Sequence, residues 1–538
     1  MREQLEQKIA EVCADLFDAQ ITVELTRPEA QFGDFATNVA LQLAKQVGKP
    51  PREVADALAV KLHETLQGRV SGVEVAGPGF INLTLSGEAL LESLKAKPVR
   101  SYEGKEVLVE FGDPNPFKAM HIGHLYSYIV GDAISSLLEV AGADVKRLSY
   151  HGDVGLHVAK AIWAIQQDGA DPAQAEDIGA FYAKGAQAYE QDETARAEID
   201  QINVQVYAGD VSVKALYEAG KERSFAGFDR MLKELGIRND RRYLESESAP
   251  AGVTMVEANT GKVFTESDGA IVYEGEKAGL HTRVFITGKG LPTYETKDLG
   301  LTQLKNQDYP DAALSVIITA HEQAEYFKVM LAALGEIDPG VAGKTRHLSH
   351  GFVSLSSGKM SSRTGDIYGA TDLLADVRQA AEKQFPDAAK DMQLGAIKYA
   401  FTKHRLGGDL VYDIDESISL EGNSGPYLQY AHARARSILN KAGGGGSLEG
   451  VELETDERLL VRKLSECPEV VDRAVQDLMP HHICTYLYEL AQGFNRFYEG
   501  NRVIGGPREN IRLGLVRHYA ETLQFGLQTL GMAAPDKM

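Results

Sequence analysis

Residues 107–132 constrain this chain more than any other stretch: Val-Leu-Val-Glu-Phe-Gly-Asp-Pro-Asn-Pro-Phe-Lys-Ala-Met-His-Ile-Gly-His-Leu-Tyr-Ser-Tyr-Ile-Val-Gly-Asp. Val107 to Phe111 has the length and β-branched character of a buried strand. Gly112, Pro114 and Pro116 then stop it, since a ladder cannot continue through two prolines. From about His121 the pattern turns helical, with Leu125, Ile129 and Ala133 at four-residue spacing. A strand, a turn and a helix start form the unit that doubly wound α/β folds use to hold phosphate-bearing ligands. His121 and His124 are three apart, so they share one face, with Gly123 between them leaving room for a flat ligand.

The rest of the chain allows such a fold and narrows its setting. A length of 538 residues predicts two to four domains. A formal charge of −21 argues against a protein that coats polyanions, although local basic surface still permits nucleic acid binding. Residues 481–538 carry six Lys/Arg and five Asp/Glu, so the acid excess lies elsewhere. Cys13, Cys467 and Cys484 are far apart and form no CxxC pair, which argues against a disulfide framework or a structural zinc. No apolar run approaches the roughly 20 residues that span a bilayer. The amphipathic N-terminus, with Leu5, Ile9, Val12 and Leu16, does not resemble a targeting segment. A cytoplasmic protein is the expectation.

Residues 1–100 predict an α+β unit: a first helix, an alternating strand Ile21–Leu25, helices to Leu43 and from Pro51, and a strand pair around residues 77–79. Asp144 to Asp153 predicts a second strand entering a turn. His151, Asp153 and His157 are better explained as turn and cap residues than as metal ligands, because the rest of a ligand set is missing. Residues 164–240 are helical in pattern and 251–288 turn to short strands, so about 164–288 is expected to be an insertion. Leu314 to Ala320 suits a buried parallel strand. Residues 350–366 form a Ser/Gly-rich loop carrying Lys359 and Arg363, a plausible phosphate clamp. From about 371 the pattern is helical, broken by the flexible run Gly443–Gly446. Tyr486, Tyr488, Phe494, Phe497 and Tyr498 lie among arginines; most suit a core, and an exposed subset would suit unstacked RNA bases.

Two of these segments together become specific. His121-Ile-Gly-His124 resembles the HIGH signature, and Lys359-Met-Ser-Ser-Arg363 the KMSKS signature, of class I aminoacyl-tRNA synthetases. Further segments resemble the arginyl-tRNA synthetase family: Gly33 to Asn38, Glu110 to Asn115 with Lys118, Tyr294 to Asp298, Asn423 to Arg434, and Leu530 to Met538. The resemblance implies an α/β protein with a Rossmann-like parallel-sheet catalytic domain at 101–375. It adds an α+β domain at 1–100 that touches the tRNA elbow, and an all-α anticodon-binding domain at 376–538.

It also implies roles. His121, Gly123 and His124, with Gly351, Phe352 and Val353 and with Lys359, Met360 and Ser361, would hold ATP. Lys359 and Arg363 would close on the departing pyrophosphate, and Lys118 would stand in for the second KMSKS lysine, which is Ser362 here. Glu110 and Asp298 would grip a guanidinium, with Tyr294 adding a hydroxyl and Asn115, His124 and Gln323 meeting the α-amino or carboxylate end. Asn38, Tyr430, Arg434 and Arg496 are the candidate tRNA contacts. The substrates would be ATP with Mg2+, L-arginine and tRNA-Arg, on a monomer with no protein-bound metal. A small-molecule nucleotidyltransferase would have no use for the flanking domains, and a catalytically dead RNA-binding relative would be expected to lose His124 or Asp298. A lysine-specific synthetase is not excluded by charge alone.

Overall fold

The computed structural model describes every residue except 176, 357–367 and 387–388. Its centre is a five-stranded, all-parallel sheet. In chain order the strands are β1 (Glu106–Glu110), β2 (Asp144–His151), β3 (Arg241–Leu244), β4 (Leu314–Ala320) and β5 (Thr345–His350), and in space they run β5-β4-β1-β2-β3. Alternation along β1 explains its burial on both faces. Val107 and Val109 pack with helix α1 (Ile122–Val140), whereas Leu108 meets Leu148, Tyr243 and Leu301 on the other side.

Two glycines let β1 and the segment after it pack closely on α1. A Cβ on Gly112, which has φ +93°, would lie 2.3 Å from the Tyr128 ring. One on Gly131 would lie 2.1 Å from Phe111. Strand and helix are therefore in backbone-close contact. Within the span expected as an insertion, β3 returns to the central sheet and pairs with β2 from Leu148 to His151. The excursions are thus the helices of residues 179–235 and the three-stranded antiparallel sheet of residues 265–286.

The N-terminal unit has a three-stranded antiparallel sheet in which Phe80–Leu85 lies between Phe35–Thr37 and Val70–Ala76. Ile21–Leu25, expected as a strand, joins no sheet; the Leu25 N–H instead donates to Glu6 Oε1 at 2.9 Å, and Val23 and Leu25 are buried as an extended segment. Residues of this unit share one hydrophobic core with the C-terminal helices. Asp34, 1% exposed, accepts the Leu85 N–H at 2.7 Å and faces the guanidinium groups of Arg458 and Arg462. Arg27 pairs with Glu469 at 2.7 Å.

The glycine run at 443–446, expected to be a flexible break, is docked: Arg517 donates to the carbonyls of Gly445 and Gly446. Glycine is needed there because a Cβ on Gly446 would strike the Gly514 nitrogen. Tyr486, Phe494 and Phe497 are buried in the helical core, and Arg496 is exposed.

Candidate active site

A cavity of about 910 Å³ opens at the carboxyl ends of β1 and β4, where the strand order reverses. This is the position at which open α/β sheets bind ligands. It has two chemically different ends.

The start of α1 builds one end. His121 is the N-cap, and its Nδ1 accepts the Gly123 N–H at 3.1 Å. Three residues on, His124 Nδ1 accepts the His121 N–H at 3.2 Å, so the two rings close a reciprocal capping box. Both Nδ1 atoms are thereby acceptors, and each neutral ring carries its proton on Nε2. The rings lie 3.7 Å apart, and burial, with Lys118 and His350 nearby, pushes His121 down to about 4. Burial and His121 push His124 well below its usual range too. The pair is a set of neutral donors at the positive end of a helix dipole. Gly123 was expected to make room for ligand; a Cβ there would lie 3.0 Å from the His121 ring, so its first use is to let that ring fold back. Gly351 and Phe352, just after β5, and Val353, which begins a short strand paired with Leu410–Tyr412, also line the cavity, and the Phe352 ring is half exposed beside His321.

Carboxylates crowd the other end. Glu110, at the last position of β1, is 3% exposed and its Oε2 lies 2.5 Å from Lys305 Nζ. Among the described residues that oxygen has no aligned hydrogen-bond donor, so the ion pair leaves acceptor capacity unused. Asp298, one turn into helix Tyr294–Asp308, is 5% exposed. Burial and the nearby Glu110 push its carboxyl up to about 8. Asp113, in the left-handed backbone region at φ 51°, accepts the Tyr150 N–H at 2.7 Å. Burial and Glu110 push it upward as well. Glu245 also lines the cavity but is matched by Lys297 at 2.7 Å. Three carboxylates therefore share Lys305, and the end is short of positive charge. A guanidinium supplies that charge with planar paired donors.

Every described residue assigned from sequence to ATP or arginine lines this cavity, including Asn115, Tyr294 and Gln323. Asn115 Oδ1 is held by the Gly152 N–H at 2.8 Å, and Gln323 Oε1 by the Tyr326 hydroxyl at 3.2 Å. Lys118 is not in the lining; its ammonium sits 5.0 Å above the Tyr182 ring. Lys359, Met360, Ser361 and Arg363 lie outside the described residues. Among the tRNA candidates, Asn38 is exposed and accepts from Gln42 at 2.8 Å, Tyr430 is 43% exposed, and Arg434 lies 4.7 Å above the Tyr498 ring. His151, Asp153 and His157 bond to separate partners: Ser149 and the Pro114 carbonyl, Tyr217 and Ser246, and the Gly152 carbonyl. Sequence reasoning passed over Asp113, Glu245, Lys297 and Lys305. Asp113 carried a signal, an acid in a Gly-Asp-Pro turn beside Glu110. Lys305 carried none, because its partner is 195 positions away.

Residues 87–404, more than half of the chain, match the family described as tRNA synthetases class I (R), catalytic domain. The chain belongs to the arginyl-tRNA synthetases. Residues 1–85 match the arginyl tRNA synthetase N-terminal domain, and residues 428–538 the DALR anticodon binding domain. An arginine–tRNA ligase of Synechococcus sp. is 31% identical over 96% of this chain and 95% of its own. One from Porphyromonas gingivalis is 29% identical over 97% and 96%. The solved arginyl-tRNA synthetase of Thermus thermophilus superposes with a TM-score of 0.86 at 27% identity, covering both chains fully. The cavity's two ends thus lie in a class I synthetase catalytic domain, a class that uses ATP.

Proposed function

We propose that this chain charges tRNA-Arg with arginine in two steps at the one cavity. In the first, an oxygen of arginine's carboxylate attacks the α-phosphorus of ATP, the bond to the bridging oxygen breaks, and pyrophosphate leaves. In the second, the 2′-hydroxyl of the tRNA's terminal adenosine attacks the arginyl carbonyl and AMP leaves. Neither step needs a protein nucleophile, so the chain contributes positioning and charge stabilisation. Asp298 and Glu110 receive the guanidinium, with the Tyr294 hydroxyl beside them. Asn115, His124 and Gln323 hold the α-carbon end. His121 and His124 offer Nε2–H donors to the phosphates, Gly351 to Val353 flank the nucleotide, and the segment with Lys359 and Arg363 closes on the leaving group.

The observation that carries this reading is the unbalanced acid at one end of the cavity: Glu110, Asp113 and Asp298 around Lys305. A pocket for glutamate would need the opposite sign, and a small apolar amino acid would leave the buried acid groups without a partner. ATP arrives with its Mg2+ as the substrate, the ion retaining water and phosphate oxygens as Mg2+ commonly does. The N-terminal unit serves the tRNA elbow and the C-terminal helices the anticodon, with Asn38, Tyr430, Arg434 and Arg496 as contacts, in a cytoplasmic monomer. Among the described residues no helix is long and apolar enough to cross a membrane.

ATP-dependent charging of total tRNA with each amino acid tests the reading. Arginine is the expected product; preference for lysine overturns it. Pyrophosphate exchange with and without tRNA shows whether activation requires the nucleic acid.

A further inference from the structure

Arginine carries two cationic groups, and Asp298 and Glu110 receive one of them. The α-ammonium, beyond three methylenes, needs an acceptor of its own near Asn115. Glu245 stands there. It is the first residue of α2 (Glu245–Ala258), lines the cavity and is 8% exposed. The turn after β2 fixes the start of this helix. Asp153 accepts the Ser246 N–H at 2.9 Å and the Ser246 hydroxyl at 2.7 Å, and the Tyr150 and Ser248 hydroxyls lie 2.8 Å apart. Helix α3 (Tyr294–Asp308) packs on α2 backbone to backbone, since a Cβ on Gly252 would strike the Thr296 carbonyl and one on Gly300 the Ser248 carbonyl. The crossing brings Lys297 Nζ to Glu245 Oε2 at 2.7 Å, with both side chains largely buried.

The two oxygens of Glu245 therefore differ. Oε2 takes the Lys297 ammonium. Oε1 is turned toward Gly152, where a Cβ would lie 3.2 Å from it and 2.9 Å from Asn115 Oδ1. Gly152 has no positive φ, so its backbone would suit any residue; what glycine supplies is the space beside those two oxygens. Gly152, Asn115 and Glu245 all line the cavity. Asn115 Oδ1 takes the Gly152 N–H at 2.8 Å and keeps a second lone pair. Two acceptors, one of them on a carboxylate, thus converge on a space that a missing side chain keeps open. A group with several donors and a positive charge matches them, and an ammonium has three donors and no acceptor. Glu245 also helps to push the Asp298 carboxyl up, so the two acids are neighbours within the one cavity.

We propose that Glu245 Oε1, together with Asn115 Oδ1, receives arginine's α-ammonium over Gly152, and that Lys297 is the positioning residue that holds Oε2 and aims the carboxylate. The proposal rests on the reading that arginine is the substrate, and it deepens that reading. The first turn of α3 then governs both cationic groups of the amino acid, Asp298 directly and Lys297 through Glu245. Glu245 lies in none of the segments that carry the family resemblance, and its role comes from where α2 and α3 cross.

The test compares L-arginine with 5-guanidinopentanoic acid, which is arginine without its α-amino group, in the charging reaction of the full chain. Glu245→Gln keeps the size of the side chain and removes its charge. Arginine KM should rise roughly ten- to a hundredfold, as expected for the loss of a charge-assisted contact, and the inhibition constant of 5-guanidinopentanoic acid should rise less than about twofold. ATP and tRNA KM should match the parent. Glu245→Gln leaves the Lys297 ammonium buried without its partner, so the double variant Glu245→Gln/Lys297→Met serves as the second measurement. It removes both charges and should show the same split with a thermal midpoint nearer the parent's. Lys297→Arg should keep most of the arginine affinity. If arginine KM and the inhibition constant rise together, Glu245 only supports the fold and the proposal is wrong. It is equally wrong if arginine KM matches the parent, or if tRNA KM alone rises, which would make the terminal ribose the ligand of Glu245. The functional reading fails separately, if the parent chain itself does not charge arginine.

Discussion

The two ends of the cavity solve opposite problems with the same tool, burial. At the acid end burial acts on carboxylates, and Asp298 is pushed up to about 8 because Glu110 is close and Lys305 is shared. At the histidine end burial acts on imidazoles, and His121 is pushed down to about 4. One end therefore keeps carboxyl groups protonated that a bound cation would ionise. The other has given up charge and keeps only directed N–H donors. A site for a positively charged amino acid and a polyanion needs this asymmetry, since equal charge at both ends would make the substrates compete for the same groups.

The asymmetry can be broken at each end. Asp298→Asn should have the largest effect, lowering kcat/KM for arginine by roughly 10²–10³-fold, because it leaves a buried guanidinium without its partner. The ATP KM should change far less; equal changes in both would erase the distinction between the ends. His124→Ala should lower kcat for adenylate formation by about 10²-fold, the cost of one donor to developing charge. The capping box is lost as well, at about 1 kcal/mol, so circular dichroism must show the fold intact. Its arginine KM should rise by the loss of one contact to the α-carbon end, at most roughly tenfold and far less than the effect of Asp298→Asn.

Asp113→Asn comes next. Asn keeps the acceptor for the Tyr150 N–H and tolerates the left-handed backbone, so only the ability to ionise beside a bound cation is removed. A rise of roughly tenfold in arginine KM is expected; no rise would make Asp113 a turn anchor alone.

The same comparison can be sharpened without a substitution, through pH. Asp298 is an ordinary carboxyl when unfolded and titrates at about 8 when buried without ligand. Its folded pKa is raised, so its contribution to stability is fully present below the unfolded value and is lost as pH rises through about 8. Arginine requires the carboxylate, so below pH 8 its binding releases a proton. Arginine KM should then fall about tenfold per unit from pH 6.5 to 8 and level off, with the slope absent in Asp298→Asn. ATP KM should stay flat over this window because His121 is already neutral. A flat arginine profile in the parent chain breaks the comparison.

Much of this was legible in local sequence, and the rest failed for identifiable reasons. The strand-turn-helix of residues 107–132 was readable because β1 and α1 are adjacent in the chain and their periods differ. Glu110, His121 and His124 follow from it directly. Ile21–Leu25 alternates like a strand but has no neighbour to pair with, and alternation alone cannot supply one. Gly443–Gly446 has the composition of a linker, yet Arg517, more than seventy residues on, holds it. Asp34 lies in a segment that marks the N-terminal unit, and its carboxylate faces arginines of the C-terminal helices.

The sequence by itself determined what depends on near neighbours: the buried parallel strand, the paired histidines at a helix start, the order of the signature segments and the arginyl-tRNA synthetase resemblance. Only the tertiary structure decided what depends on distance through space. It brought Lys305 to Glu110 and placed Asp113 and Asp298 in one desolvated group. Charge and burial are properties of surroundings, and those surroundings come from segments up to about 200 residues apart. A linear pattern can name such residues, but it does not carry the dielectric or the neighbours that give them their chemistry.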